Sequence, residues 1–152
     1  MAFNERISGF SLPSWEEIPD FGLYMDQVMT FTQRQFAPLF RDVERMFTPP
    51  MVNNYVKVGL ISRPVGKKYG REQLAQLLMV CVLKQSASAE EMKRLLELSE
   101  GGDMQKLYED FCKIQNAIFL DLSAKLPFTS PITCALWASS YRLLLSAVVE
   151  TH

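Results

Sequence analysis

The chain has 152 residues, of which 48% are hydrophobic and 22% are charged, and its formal net charge is −1. A chain of this length buries roughly 70% of its unfolded surface, so it needs no disulfide or metal to fold. The cysteines are three in number and widely spaced, and the single histidine is residue 152. These counts argue against a disulfide framework, a zinc site and a histidine-based catalytic centre. We therefore expect no metal, no cofactor and no enzymatic activity.

The first residues lack the continuous apolar core of a signal peptide. The longest mostly apolar run that the sequence analysis identifies is 74–84, much shorter than the roughly 20 residues that span a bilayer. We expect a cytoplasmic protein without a membrane partner.

Apolar residues that recur at steps of three and four predict a series of helices. Residues 1–19 show no such period and are expected to form a loose arm, pinned by Phe10 and Trp15. In chain order, the predicted helices cover residues 21 to about 35 after an Asp20 N-cap, 39–47, 49–58, 71–84, a stretch that begins at the Ser88–Glu91 capping box, 103–125 and 132–149.

A turn is predicted between the third and fourth of these helices. Pro64 and Gly66 permit a chain reversal, and residues 60–61 and 68–69 are expected to pair as a short two-stranded ribbon. The predicted fold is all-α with this tiny β-ribbon. We expect three parts: an arm (1–19), a central domain (20–100) and a C-terminal helical extension (101–152).

The charge of residues 48–71 differs from that of the rest of the chain. This segment carries five basic residues and no acidic one, so the remainder carries −6. A concentrated positive charge on one short unit is expected of a surface that meets phosphates. A solvated basic surface without a partner is the alternative interpretation.

The local pattern favours DNA. A short helix that presents polar side chains can enter the major groove, and Asn53, Asn54 and Lys57 are the candidates for contacts with bases. Arg63, Lys67, Lys68 and Arg71 are the candidates for contacts with phosphates. Tyr55 and Tyr69 flank the turn and are assigned either to phosphate contacts or to a small core.

The segments MVNNYVKVGLI, SRPVGKKYGREQLAQL and LKQSASAEEMKRLL resemble the DNA-binding domain of the mercury-resistance regulator (MerR) family. The resemblance includes Tyr55 followed after three residues by Gly59-Leu60-Ile61, the turn end Lys67-Lys68-Tyr69, and the helix junction that contains Glu90-Glu91-Met92. Asn53 and Lys67 stand where that family has arginine. The chain as a whole is also similar to an uncharacterised bacterial family with an IPDFGLYMDQV-like opening and an MVNNYVKVGLI-like helix.

The resemblance implies a winged helix-turn-helix and a bacterial transcriptional regulator that binds double-stranded DNA as a homodimer. In MerR-like regulators the helix after the DNA-binding domain, here 103–125, pairs with its symmetry mate. Three alternatives stay open. The C-terminal helices could instead cover each other within one chain, or enclose a small-molecule effector between Phe111, Phe119, Trp137 and Tyr141. The winged-helix fold could also bind a protein partner and no DNA.

Overall fold

The computed structural model of the chain describes residues 3–99, 102–125 and 129–152. Helices dominate these residues, which include two isolated β-bridges and no β-strand, so the prediction of an all-α fold is confirmed. A 3-10 turn covers Trp15–Glu17. The α-helices are α1 (Phe3–Ser8), α2 (Met25–Phe36), α3 (Val43–Met46), α4 (Pro49–Lys57), α5 (Arg71–Leu83), α6 (Ala89–Ser99), α7 (Met104–Lys125) and α8 (Pro131–Thr151).

Helix α5 lies at the centre of the core. Apolar residues occur on nearly every side of this helix, a pattern typical of a buried one. The predicted core residues Leu74, Leu77, Leu78 and Cys81 are all buried. Residues of α2, α3, α4, α6 and α7, the N-terminal segment from Phe10 and Leu145 of α8 join α5 in one hydrophobic core.

The helix ends follow the predicted capping chemistry. Thr48 accepts a hydrogen bond from the Met51 amide at 3.4 Å, and prolines fill the first two positions of α4, where amide donors are not needed. Gly59 ends this unit with a φ of +85°, which only glycine adopts without strain. Ser88 and Glu91 exchange two hydrogen bonds, of 2.9 and 3.2 Å, and form the predicted capping box of α6.

The start of α2 differs from the prediction. The helix begins at Met25, not after Asp20, and the Tyr24 amide donates to the Gln27 side chain at its first turn. Before it, Gly22 has a φ of +82° and Leu23 pairs with Tyr69. The apolar period continued through these residues, but a contact with a segment distant in sequence holds them extended.

The N-terminal segment is packed over residues 10–18, which is more order than a loose arm, and the predicted pinning by Phe10 is confirmed. Phe10, Leu12 and Ile18 are buried, and the Phe10 ring lies 5.3 Å from that of Phe119 on α7. The hydroxyl of Tyr108, also on α7, donates to the Pro13 carbonyl at 2.7 Å. The sequence indicated this packing only through the large apolar residues Phe10 and Trp15, because the segment has no helical period.

The predicted ribbon is also wrong in its pairing. Residues 60–61 do not pair with 68–69. Instead, Val65 pairs with Lys68 and Tyr69 pairs with Leu23, each as an isolated antiparallel bridge. Leu60 and Ile61 are buried and continue from α4, with both amides donating to the Tyr55 carbonyl. The predicted boundary between residues 100 and 101 lies outside the described residues.

Helices α7 and α8 leave much apolar surface exposed. Among the described residues, α8 is the one helix long and apolar enough to cross a membrane, with a mean hydropathy of 1.5. The expectation that residues 74–84 are the longest mostly apolar run is therefore wrong. Of the proposed effector-binding aromatic residues, Phe119 packs on Phe10 whereas Tyr141 is 74% exposed, so they lie in different surroundings.

The Tyr108–Pro13 hydrogen bond gives a first test of this architecture. Tyr108→Phe keeps the buried ring and leaves the Pro13 carbonyl without its donor, so we expect the free energy of unfolding to fall by about 1–2 kcal/mol. Urea denaturation measures this change. Tyr141→Phe removes an exposed hydroxyl and is the matched control. Equal stabilities for the two variants would contradict a structural role for the hydrogen bond.

Candidate nucleic-acid interface

Helix α4 presents one polar face to solvent. Pro50, Asn53, Asn54 and Lys57 are exposed and occur at steps of three and four, so they share a face. On the other side, Val52 and Tyr55 are buried. The three residues predicted to contact bases therefore lie together on an accessible surface.

The turn after α4 ends in a tight hairpin. The amides and carbonyls of Val65 and Lys68 form two hydrogen bonds, of 3.2 and 3.0 Å. Gly66 and Lys67 between them have φ values of +58° and +64°, the signs that a two-residue type I′ turn requires. A lysine in this conformation carries strain that glycine or asparagine would not. The hairpin therefore places the Lys67 side chain at its tip, and the left-handed backbone there raises the energy of the folded state.

Backbone pairing anchors this hairpin to the start of α2. The Leu23 amide donates to the Tyr69 carbonyl and the Tyr69 amide to the Leu23 carbonyl, both at 2.9 Å. Both side chains are buried. A four-residue hairpin is not stable alone, so these contacts determine its position.

Two glutamines of α5 hold the loop that precedes the hairpin. Gln76 accepts from the Ser62 amide at 2.9 Å and donates to the Ser62 hydroxyl at 3.1 Å. Gln73 accepts from the Gly70 amide and donates to the Arg63 carbonyl. These positioning residues were not predicted, since glutamine in the first two turns of a helix is common and carries no specific signal.

Helix α4 and the hairpin border a common hollow. This open cavity of about 530 Å³ is lined by Asn53, Lys67 and Tyr69, together with Pro64 and the α2 residues Tyr24, Met25 and Asp26. One candidate for base contacts and one candidate for phosphate contacts therefore meet across it. Asp26, which the sequence analysis did not consider, adds an acidic side chain to the same surface.

Four of the predicted cations remain available to a partner. In the described part of the chain, Lys57, Arg63, Lys67 and Lys68 are exposed and form no ion pair. The Lys68 ammonium group lies 5.3 Å from the centre of the Tyr24 ring, a cation–π contact that leaves its charge at the surface.

Arg71 is positioned differently from the other predicted cations. Its guanidinium donates to the Ile18 carbonyl at 3.0 Å, lies 3.8 Å from Asp20, and stacks 5.7 Å from the centre of the Trp15 ring. The side chain is 27% exposed. These contacts hold the N-terminal segment, so Arg71 is primarily structural.

The two tyrosines belong to the small core of the turn. Tyr55 and Tyr69 are 9% and 5% exposed. Burial raises the pKa of both phenols, and the neighbouring Cys81 raises that of Tyr55 further. Of the two roles considered for these residues, the buried one accounts for their position.

Comparison with known families identifies the chain as part of a described but functionally unassigned group. The family described as "Domain of unknown function (DUF1836)" matches residues 13–111, most of the chain, which includes α2 to α6 and the hairpin. The protein belongs to this family. No curated protein and no solved structure matches the chain.

The hairpin turn can be tested by stability. No other heavy atom lies within 4 Å of a Cβ placed on Gly66, so the effect of Gly66→Ala comes from its left-handed backbone alone. We expect a loss of about 1–2 kcal/mol in the free energy of unfolding, measured by urea denaturation. Gly9→Ala, where the backbone is not left-handed and the nearest atom is 3.4 Å away, is the control. A neutral Gly66→Ala variant would contradict the observed turn.

Proposed function

We propose that this protein is a DNA-binding transcriptional regulator of winged helix-turn-helix, MerR-like type. In this proposal α4 is the recognition helix and the hairpin that contains residues 65–68 is the wing. The single observation that supports it most strongly is the placement of Asn53 and Lys67 on one hollow. Lys57, Arg63 and Lys68 in the same segment are exposed and form no ion pair with the described residues.

The backbone strain at Lys67 supports a functional role for its charge. Asparagine or glycine would make the same turn with less strain. A strained lysine at an exposed hairpin tip therefore suggests that the ammonium group serves a purpose other than folding. Contact with a phosphate beside the major groove is such a purpose, since phosphate contacts position a module on the duplex.

Asn53, Asn54 and Lys57 would read the bases. An asparagine side chain can donate to and accept from adenine in the major groove, and a lysine can donate to guanine. All three side chains are exposed on one face of a helix of nine residues, and the major groove is wide enough to admit an α-helix.

We propose that the protein acts in the cytoplasm and as a homodimer. One short helix and one small hairpin offer limited contact with DNA, and two half-sites supply the affinity that a single module lacks.

The second candidate function is a winged-helix module that binds a protein through the same surface. Asp26 on the rim of the hollow favours it, because an acidic side chain repels phosphates and suits a partner of mixed charge. Salt dependence separates the two. Each neutralised phosphate contributes about −0.9 to the slope of log K against log salt, so four cations give a slope of up to about −3.6 on DNA.

Removal of the wing charges tests the DNA-binding proposal. Lys67→Asn with Lys68→Gln keeps a residue that tolerates the left-handed turn, and we expect weaker binding to all sequences and a slope reduced by up to about two. Fluorescence anisotropy with random duplexes and duplexes from upstream of the protein's own gene, between about 50 and 200 mM salt, measures both quantities.

The control for this double variant is Lys113→Gln with Lys125→Gln, which removes the same charge from α7. We expect its salt slope to stay that of the unaltered protein. An equal loss in both double variants would mean that general charge, and not the wing, governs binding. If the salt slope of the wing variant equals that of the unaltered protein, the hairpin lysines do not contact DNA phosphates.

Asn54→Ala tests base readout separately. Loss of a bidentate contact to a base costs about 1–3 kcal/mol on the correct sequence and little on random DNA. We therefore expect the ratio between affinities for the upstream duplex and a random duplex of equal length to fall, with an unchanged salt slope. Equal losses on both duplexes would assign Asn54 to the DNA backbone.

A further inference from the structure

Helix α8 exposes an apolar surface that the other described residues do not cover. Only 6% of its most apolar stretch is buried. Arg142 and Glu150 are its only charged residues. Its exposed large apolar side chains are Ile132, Leu136, Trp137, Tyr141, Leu143, Leu144 and Val148.

Part of this surface has the spacing of a coiled coil. Steps of three, four, three and four residues separate five exposed positions, which is the a/d pattern of heptads. We call these five residues the α8 seam: Cys134, Trp137, Tyr141, Leu144 and Val148. A seam with this period is suited to another helix, because supercoiled helices keep such positions facing each other over their whole length.

A neighbouring side of α8 holds the helix to the molecule. Val149 is buried and Leu145 packs against the core. Arg142 donates two hydrogen bonds to the Glu91 carboxylate of α6, at 3.0 and 2.9 Å. These contacts lie beside the seam and not on it, so the five seam residues stay exposed and open to a partner.

We propose that the α8 seam is the surface through which two copies of this chain pair. In coiled coils, charged residues beside the seam select an unlike partner. Here the flanking positions Thr133, Ala138 and Ser140, and likewise Leu145 and Ala147, carry no charge. Nothing beside the seam disfavours an identical helix, and the small side chains allow close approach.

The exposed area of the α8 seam fits a weak, reversible dimer. Side chains of this size contribute about 60–100 Å² each when exposed, so Trp137, Tyr141, Leu144 and Val148 expose roughly 300 Å². A standard interface buries about 800 Å² on each partner, and transient ones bury less.

A lipid bilayer is a poorer occupant of this surface. Arg142 lies at the middle of α8, so insertion would place its guanidinium near the bilayer centre and break its paired contact with Glu91. An arginine at that depth is strongly disfavoured. A second helix covers the seam and leaves the Arg142–Glu91 contact intact.

The pairing supplies the dimer that the proposed function invokes, but its test requires no DNA. Sedimentation equilibrium of the full chain, loaded at about 1–100 μM, should show a monomer–dimer equilibrium. Leu144→Glu places a like charge on both copies at the seam and should raise the dimer dissociation constant at least about tenfold. Leu143→Glu adds the same charge at the adjacent, more exposed position outside the seam and should leave that constant within about twofold.

Circular dichroism shows whether each variant folds, and Tyr141→Glu provides a second seam substitution at an exposed site. A chain that stays monomeric throughout the loading range would overturn the proposal. An equal rise in the dimer dissociation constant for Leu143→Glu and Leu144→Glu would also overturn the proposal. Binding of the monomer to phosphatidylcholine vesicles, with no self-association, would assign α8 to a membrane and overturn it as well. Salt-dependent DNA binding by a monomeric protein would leave the proposed function in place without this dimer.

Discussion

The pair of backbone hydrogen bonds between Leu23 and Tyr69 determines where the basic hairpin lies. The hairpin has two residues at its tip and one pair of hydrogen bonds of its own, too few to keep it in place. The Leu23–Tyr69 pair joins its exit to the entry of α2, and the buried Tyr69 side chain fixes it to the core. Since α2 and α4 pack in the same core, the distance between the Asn53 face and the Lys67 tip depends on this junction.

The basic residues divide into internal and external sets. Arg71 holds the N-terminal segment through Ile18, and Lys84 donates to the Met46 carbonyl at 2.7 Å, where burial lowers the pKa of its ammonium group. Lys67 and Lys68 of the hairpin have no such acceptor among residues 3–99, 102–125 and 129–152. A count of positive charge along the sequence treats these residues alike, whereas their surroundings decide which of them can meet a ligand.

Local chemistry made much of this fold predictable from sequence. The caps at Thr48 and Ser88 and the glycine at position 59 act within one helical turn, so the ends of α4 and the start of α6 followed from residue types alone. The errors lie where distant segments meet. The start of α2 and the true partner of Tyr69 depend on a contact across 46 positions of sequence, for which a single sequence carries no periodic signal.

The capping box of α6 connects local helix chemistry with a contact between segments that are distant in sequence. Glu91 accepts from the Ser88 amide, and this hydrogen bond, with the one from the Ser88 hydroxyl and the nearby Arg142, lowers the pKa of its carboxyl group. The same carboxylate accepts hydrogen bonds from both terminal nitrogens of Arg142, and these bonds orient α8. The residue that caps α6 therefore also binds Arg142, and this contact helps to fix the orientation in which the α8 seam is exposed. Protonation of Glu91 would weaken both functions, so the direction of the seam depends on an ionised residue whose first role is to start a helix.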